Sequence, residues 1–271
     1  MRKLSPLIFC ATLAAAAASG YAASLPLGKP GEPIRLVVGF NPYATLSSTV
    51  AVVDGKELWK SHLPPGSRVD LELGIRGPAI ADMLRNGALH IAYSGDPVVG
   101  LAAEGKPDVR LIAIAMLSQD SCVIVVRADA PAFASPKEGA RWLNGKRVAT
   151  TPGTCQGRIT RLVIERERIK PARVFDLGRE SLELAFRERR IDAAGVPEPG
   201  ASDLIVRGLA KRLTSSRAYG EWDAGFIAAS AEFLHARPDV VTGWLGAELE
   251  AQRFVADPRS EERRVGKECR L

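Results

Sequence analysis

The chain has 271 residues, 37 Lys and Arg against 31 Asp and Glu, a formal charge of +6 and 46% hydrophobic residues. Much of that charge sits at the ends: Arg2 and Lys3 supply +2, and the run from Arg259 holds five bases against three acids, another +2, leaving 6 − 2 − 2 = +2 for the body. No basic face remains to argue for nucleic acid, no run after the N-terminal segment reaches the roughly 18 apolar residues of a membrane span, and a mildly positive protein suits a small anionic ligand.

Arg2-Lys3, the apolar run from Leu4 to Ala18 and the small residues Ser19-Gly20-Tyr21-Ala22-Ala23 have the order of an export signal. Residues 1–22 are expected to be cleaved after Ala22, placing the mature chain in the periplasm. Cys10 does not read as a lipid-attachment cysteine, because Phe9 occupies the position that needs a small residue. At the far end, Arg259 to Cys269 resembles the translation of a sequencing adapter. Residues 259–271 are therefore expected to be a tail without selected structure, on a chain truncated near Pro258. Roughly 235 residues remain, one large or two modest domains. Of the four cysteines, Cys122 and Cys155 lie in the body. The periplasm permits them to pair; whether their Cα atoms come within about 7 Å is not a property of sequence.

Ile34 to Phe40 is a short apolar run bounded by Pro33 and Asn41-Pro42, and reads as the first strand. A helix capped by Ser47 or Ser48 is expected to run to His62, where Pro64-Pro65-Gly66 stops the pattern. Strands follow at Val69–Leu73, Leu89–Tyr93 and Val109–Ala115, with helices at Ala79–Asn86 and from Asp96 to Glu104. A second round begins with the strand Cys122–Arg127. Its helices are Lys137–Leu143, Cys155–Arg168 and those starting at Ser181 and Gly200; its strands are Arg147–Thr151, Val174–Leu177 and Ala193–Val196. Phe226–Ser230 reads as a last strand and Pro238–Phe254 as a long amphipathic helix. Such alternation implies parallel pairing in an α/β fold.

The two rounds repeat one another. Ala79-Ile80 is answered by Ser181-Leu182, Leu89-His90 by Ile191-Asp192, Asp96-Pro97 by Glu198-Pro199 and Val109-Arg110-Leu111 by Lys211-Arg212-Leu213, all at an offset of 102. Duplicated α/β units of this size are what a two-lobed binding protein presents. The expected division is 30–118 for the first part of lobe 1, 119–230 for lobe 2 and 231–258 for a helix returning to lobe 1.

Open α/β sheets hold ligands outside the carboxyl ends of their strands, where helix N-termini turn unpaired N–H groups into the crevice. Four turns qualify: Asn41-Pro-Tyr43 with Ser47-Ser48, Ser94-Gly-Asp96, Thr151-Pro-Gly-Thr-Cys-Gln156 and Val196-Pro-Glu-Pro199. In the third, Pro152-Gly153 turns the backbone tightly, Thr154 caps, and the N–H groups of Cys155 and Gln156 face outward. Asp96 and Glu198, at equivalent repeat positions, fit three roles: contact with a ligand amine, hinge hydrogen bonding or helix capping. Cys155 at a helix N-terminus would have a lowered pKa and suits a nucleophile, yet no histidine lies near it in sequence. There is no GxGxxG or Walker loop, and His62, His90 and His235 have no metal spacing. His90 and Asp192, both after a helix–strand junction, read as structural.

These residues resemble the periplasmic solute-binding proteins of ABC importers for nitrate, taurine and aliphatic sulfonates, from about Ile34 to Phe254. The carriers are Leu58-Trp-Lys-Ser-His-Leu-Pro-Pro-Gly66, Gly77-Pro-Ala79, Gly87-Ala-Leu-His-Ile-Ala-Tyr-Ser-Gly-Asp-Pro97, Gln119-Asp120, Gly145-Lys-Arg-Val-Ala149, Pro152-Gly-Thr-Cys155 and Val196-Pro-Glu-Pro199. The resemblance implies an α/β, two-lobed periplasmic binding protein of type 2, C-terminally truncated here, that closes on a small anionic solute and presents it to an ABC permease. It implies a monomer, no cofactor and no metal. By match to the family's motifs, Asn41, Tyr43, Ser94, Gly95, Asp96, Thr154, Cys155, Gln156 and Glu198 would face the ligand. The family often has an aromatic residue before its Glu-Pro, where this chain has Val196-Pro197. Two other functions use such a scaffold: thiamin-precursor synthases, whose cysteine-rich iron site this chain lacks, and ligand-sensing modules for receptors.

Overall fold

The computed structural model describes residues 25–259 except Ile75 and Lys106. The expected export signal lies outside them, as does all but Arg259 of the expected tail.

Short runs rich in Val, Ile, Leu and Ala have little polar surface to present, and they become strands covered on both faces. β1 (Arg35–Phe40) is buried at five of six positions and pairs in parallel with β2 (Arg68–Leu73) and β3 (Ile91–Ser94). β10 (Asp223–Ser230) runs antiparallel between β3 and β4 (Val109–Ser118), giving the order β2-β1-β3-β10-β4. The second sheet repeats this plan. β6 (Arg147–Thr150) pairs in parallel with β7 (Arg173–Asp176) and β8 (Ala193–Pro197). β5 (Cys122–Arg127) runs antiparallel between β8 and β9 (Ala210–Ser215), in the order β7-β6-β8-β5-β9.

Three expectations are corrected here. The strand expected to close the second lobe at residue 230 belongs to the first sheet, because β10 takes β3 and β4 as partners; its apolar content suits either sheet, and the choice is made by contacts distant in sequence. The second sheet ends instead with β9, where Lys211 and Arg212 interrupt the apolar pattern that marks the other strands. The single helix expected up to His62 is broken. Glu57 has φ of 51°, which ends α1 (Ser48–Gly55) and sets off a 3-10 turn at Leu58–Ser61.

Helices cover both faces of each sheet. In the first lobe, α2 (Gly77–Arg85) and α3 (Asp96–Glu104) bury Ile80, Leu84, Val98 and Leu101 on one face. On the other face lie α1, α8 (Ala231–Ala236) and α9 (Pro238–Ala256), with Trp244 fully buried. In the second lobe, α4 (Pro136–Trp142) and α5 (Cys155–Arg166) cover one face with Ala140, Ile159 and Val163. α6 (Arg179–Arg187) and α7 (Gly200–Val206) cover the other with Leu182, Phe186 and Leu204. Among the described residues no helix is long and apolar enough to cross a membrane.

The chain crosses between sheets twice, from β4 into β5 and from β9 into β10. Buried Asp223 fastens the two crossings together, accepting hydrogen bonds from Ser121 Oγ (3.2 Å) and the Cys122 N–H (3.2 Å) on one and from Ser216 Oγ (3.1 Å) on the other. A shared anchor of this kind places the cleft between the lobes beside the strand ends that carry the polar turns.

Candidate functional site

Four helices begin at the cleft. α2 and α3 come from the first lobe and α5 and α6 from the second, and their first residues, with those just before them, line one cavity of about 70 Å³. The local reason is the same each time. A strand ends, one to four residues turn, and a helix starts, the end at which its first N–H groups lack partners within the helix. At α5 the turn is Pro152-Gly153, with Gly153 at φ of 69°. Thr154 caps, its hydroxyl accepting from the Gly157 N–H at 3.4 Å and donating to Thr151 O at 2.5 Å. A Cβ at Gly157 would stand 2.6 Å from Thr151 O, so the tight turn requires glycine there.

Eight of the nine residues picked out from sequence line this cavity: Asn41, Tyr43, Ser94, Gly95, Asp96, Thr154, Cys155 and Gln156. Asn41 Oδ1 accepts the Tyr43 N–H at 2.9 Å and shapes the turn after β1. Ser94 is 2% exposed at the end of β3, and its Oγ has no hydrogen-bond partner among the described residues. A buried hydroxyl without a partner costs roughly 1–3 kcal/mol, so this one marks a place for a ligand atom or a water molecule. Glu198 is the exception. It lies outside the cavity lining, its carboxylate accepting the Ser202 N–H at 2.9 Å and pairing with Arg212. Its backbone carbonyl reaches the other lobe, accepting from the Thr45 N–H at 3.1 Å and Thr45 Oγ1 at 2.9 Å, beside a bridge between Ala44 and Pro199. Capping and a bond between the lobes are thus its observed contacts.

Cys155 is joined to Cys122 in a disulfide, with Cα atoms 6.2 Å apart. This answers the pairing question and removes the nucleophile reading, since neither sulfur is a thiol. The bond ties the start of α5 to the start of β5, fixing the cavity's second-lobe floor.

Sequence reasoning missed three arginines. Arg158, one turn into α5, reaches across the cleft. Its Nε donates to Asp96 at 3.0 Å and its Nη2 to Asp223 at 2.7 Å. Burial disfavours the Arg158 cation, but the two carboxylates outweigh it and the guanidinium is held more firmly charged than usual. The Arg158 guanidinium thereby offsets the charge of Asp96 through their ion pair. Arg76 and Arg179 line the cavity from opposite lobes. Arg76 bonds Glu180 of the other lobe at 2.6 Å, a bond that raises the pKa of Arg76 and lowers that of Glu180. Arg179 stacks 4.6 Å from the ring centroid of Tyr43. The signal that could have found them is position: each sits at the edge of a Gly-initiated helix start, Arg76-Gly77 and Gly178-Arg179. The second was hidden because the helix was expected only from Ser181; its cap, Gly178, has no side chain to advertise it.

Two similar α/β lobes with a cavity walled by helix starts from both define the periplasmic-binding-protein type of fold. The chain belongs to the NMT1-like family, whose model matches residues 29–266. It is similar in structure to the alkanesulfonate-binding protein SsuA from Xanthomonas axonopodis pv. citri bound to MOPS, with a TM-score of 0.70 at 19% identity over 88% of this chain and 78% of that one. It is similar also to the periplasmic aliphatic sulphonate binding protein SsuA from Escherichia coli, with a TM-score of 0.68 at 18% identity, covering 85% and 76%. The periplasmic nitrate-binding protein NrtA from Synechocystis PCC 6803 gives 0.69 at 16% identity, covering 86% of this chain and 64% of that one. No curated protein matches the sequence significantly.

Proposed function

We propose that this protein captures a small anionic solute of the sulfonate, taurine or nitrate class in the periplasm and delivers it, as a monomer, to an ABC permease. No bond is made or broken; the work is capture, closure and presentation. The observation that carries the reading is the convergence of four helix N-termini on one cavity that also holds a buried hydroxyl, Ser94 Oγ, without a partner among the described residues. Each helix end contributes about 0.3–1 kcal/mol toward an anion, more when partly buried. Four ends supply about 1–4 kcal/mol toward an anion, and hydrogen bonds from Ser94 and neighbouring side chains add about 1.5–3 kcal/mol each. The cavity of about 70 Å³ suits an anionic head group. Binding without chemistry is further supported by the disulfide at Cys155, which occupies the sulfur best placed to act as a nucleophile.

Asn41, Tyr43, Ser94, Gly95, Asp96, Thr154, Cys155 and Gln156 form the proposed ligand shell, while Glu198 serves the hinge. Calorimetric titration against taurine, short alkanesulfonates, nitrate and bicarbonate tests the reading. Heat and saturation with at least one member are expected, and no binding across the panel would sink the proposal. Substituting Ser94 by Ala should weaken anion binding about ten- to a hundredfold, a hydrogen bond to a charged group being worth about 1.5–3 kcal/mol.

A further inference from the structure

Both cavity arginines lie close to a glycine. A Cβ added at Gly178 would collide with the Arg76 guanidinium and with the Glu180 carboxylate, and one at Gly200 would stand 3.1 Å from Arg179 Nε. Backbone has been left bare beside each of two guanidiniums that face one cavity from opposite lobes. Each is steered by a single carboxylate. Arg76 donates through Nη2 to Glu180, and Arg179 through Nη2 to Asp203 at 3.2 Å while its face rests on Tyr43. One donor of five is used in each case, and the remaining donors have no partner among the described residues.

We infer that Arg76 and Arg179 are the charge partners of the bound anion, one contributed by each lobe, so that full recognition exists only when the lobes meet. The inference rests on the anion reading above and names the residues that enforce it. A guanidinium presents its N–H groups as a planar fork that matches the oxygens of a trigonal or tetrahedral oxyanion. Two forks, one from the start of α2 and one from the start of α6, fix the orientation of such a head group, which helix dipoles alone do not. In this arrangement Glu180 is a placeholder: it holds Arg76 in position before the anion arrives and competes with it afterwards.

That last point separates a ligand role from a purely structural one, because R76Q and E180Q break the same interlobe bridge. The test is calorimetry of the wild type, R76Q, R179Q, R179K and E180Q with methanesulfonate and with nitrate, alongside thermal melts. R76Q and R179Q are each expected to weaken the anion that the wild type binds by about ten- to a hundredfold. R179K, which keeps the charge and loses the fork, should fall between. E180Q should bind as tightly as the wild type or more tightly. Equal weakening in R76Q and E180Q would reduce the pair to a strut and overturn the inference, as would R179Q binding within twofold of the wild type. If R76Q does not fold, the sign of the E180Q effect decides alone, weaker binding being the contrary result. A wild type that takes neither these two nor any other anion of the panel above removes the anion reading together with this one; a binding wild type with unaffected variants removes only this one.

Discussion

Strand for strand, β2-β1-β3-β10-β4 in the first lobe corresponds to β7-β6-β8-β5-β9 in the second, each with one antiparallel strand supplied by a crossing from the other lobe. The equivalent helices α2 and α6 start at residues 77 and 179, the offset of 102 seen in the sequence. The side chains placed on this shared frame have diverged. At the start of the central strand, His90 Nδ1 accepts the Val37 N–H at 3.0 Å in one lobe, and Asp192 accepts the Arg147 N–H at 2.9 Å in the other. The task is the same and the chemistry differs. After the next strand, Asp96 turns into the cavity and Glu198 away from it. At the outer edge, β9 is buried at Leu213 and Thr214, whereas β4 exposes Ile114 (59%) and Leu117 (56%). Topology is held by main-chain pairing and apolar area, which tolerate substitution; a site depends on single polar atoms, which do not.

The largest expected effect comes from the disulfide, which only the second lobe has. Replacing both cysteines by Ala should cost about 3–4 kcal/mol for a closure spanning 33 residues, measured by urea unfolding. Amide exchange should show the loss concentrated in the second lobe; uniform loss would mean that the lobes unfold as one unit and would break the contrast.

Next in size is the pH response of the paired caps. Burial lowers the His90 pKa to about 4, against 6.5 for the free side chain. The neutral ring is the folded form, so its contribution is complete above pH 6.5 and is lost as pH falls toward 4, on the order of 3 kcal/mol in all. For Asp192, burial raises the pKa but hydrogen bonds from Arg147 outweigh it and the net shift is downward. Its contribution is therefore present above the ordinary carboxylate range and is lost only on further acidification. Acid should soften the first lobe before the second, and His90→Gln should abolish the slope between pH 6.5 and 4 in stability measured by denaturant titration.

Arg158→Ala comes third. It strips buried Asp223 of its cation and frees Asp96 from the opposite lobe, at about 2–3 kcal/mol after allowing for the partial exposure of Arg158. The double variant with Asp223→Asn should lose less than the sum of the two singles, a coupling that a double-mutant cycle reads directly. Smallest of all, Ile114→Thr on the exposed edge of β4 should change stability by less than about 0.5 kcal/mol, and a larger loss in thermal melts would show that this edge is covered in solution.

Eight of the nine residues chosen from sequence converge because the turns were read from local chemistry: a strand ending, then Gly, Pro, Ser or Thr, then a helix start. Glu198 shared that signature and still lies elsewhere, since its carboxylate found Ser202 and Arg212 instead of the cleft. The three arginines were invisible for the opposite reason. An arginine near a helix start looks like surface until its partners are known, and Glu180 lies 104 residues from Arg76 while Asp223 lies 65 from Arg158.

By itself the chain determines most of its strands and helices and the duplication at 102 residues, because periodicity, caps and turn chemistry are properties of neighbouring residues. Only the tertiary structure decides that β10 returns to the first sheet, that Cys122 meets Cys155, and that Arg76 and Arg179 line one cavity. Those outcomes are pairings between distant segments, set by which surfaces close on each other, and such pairings leave no periodic trace in the sequence.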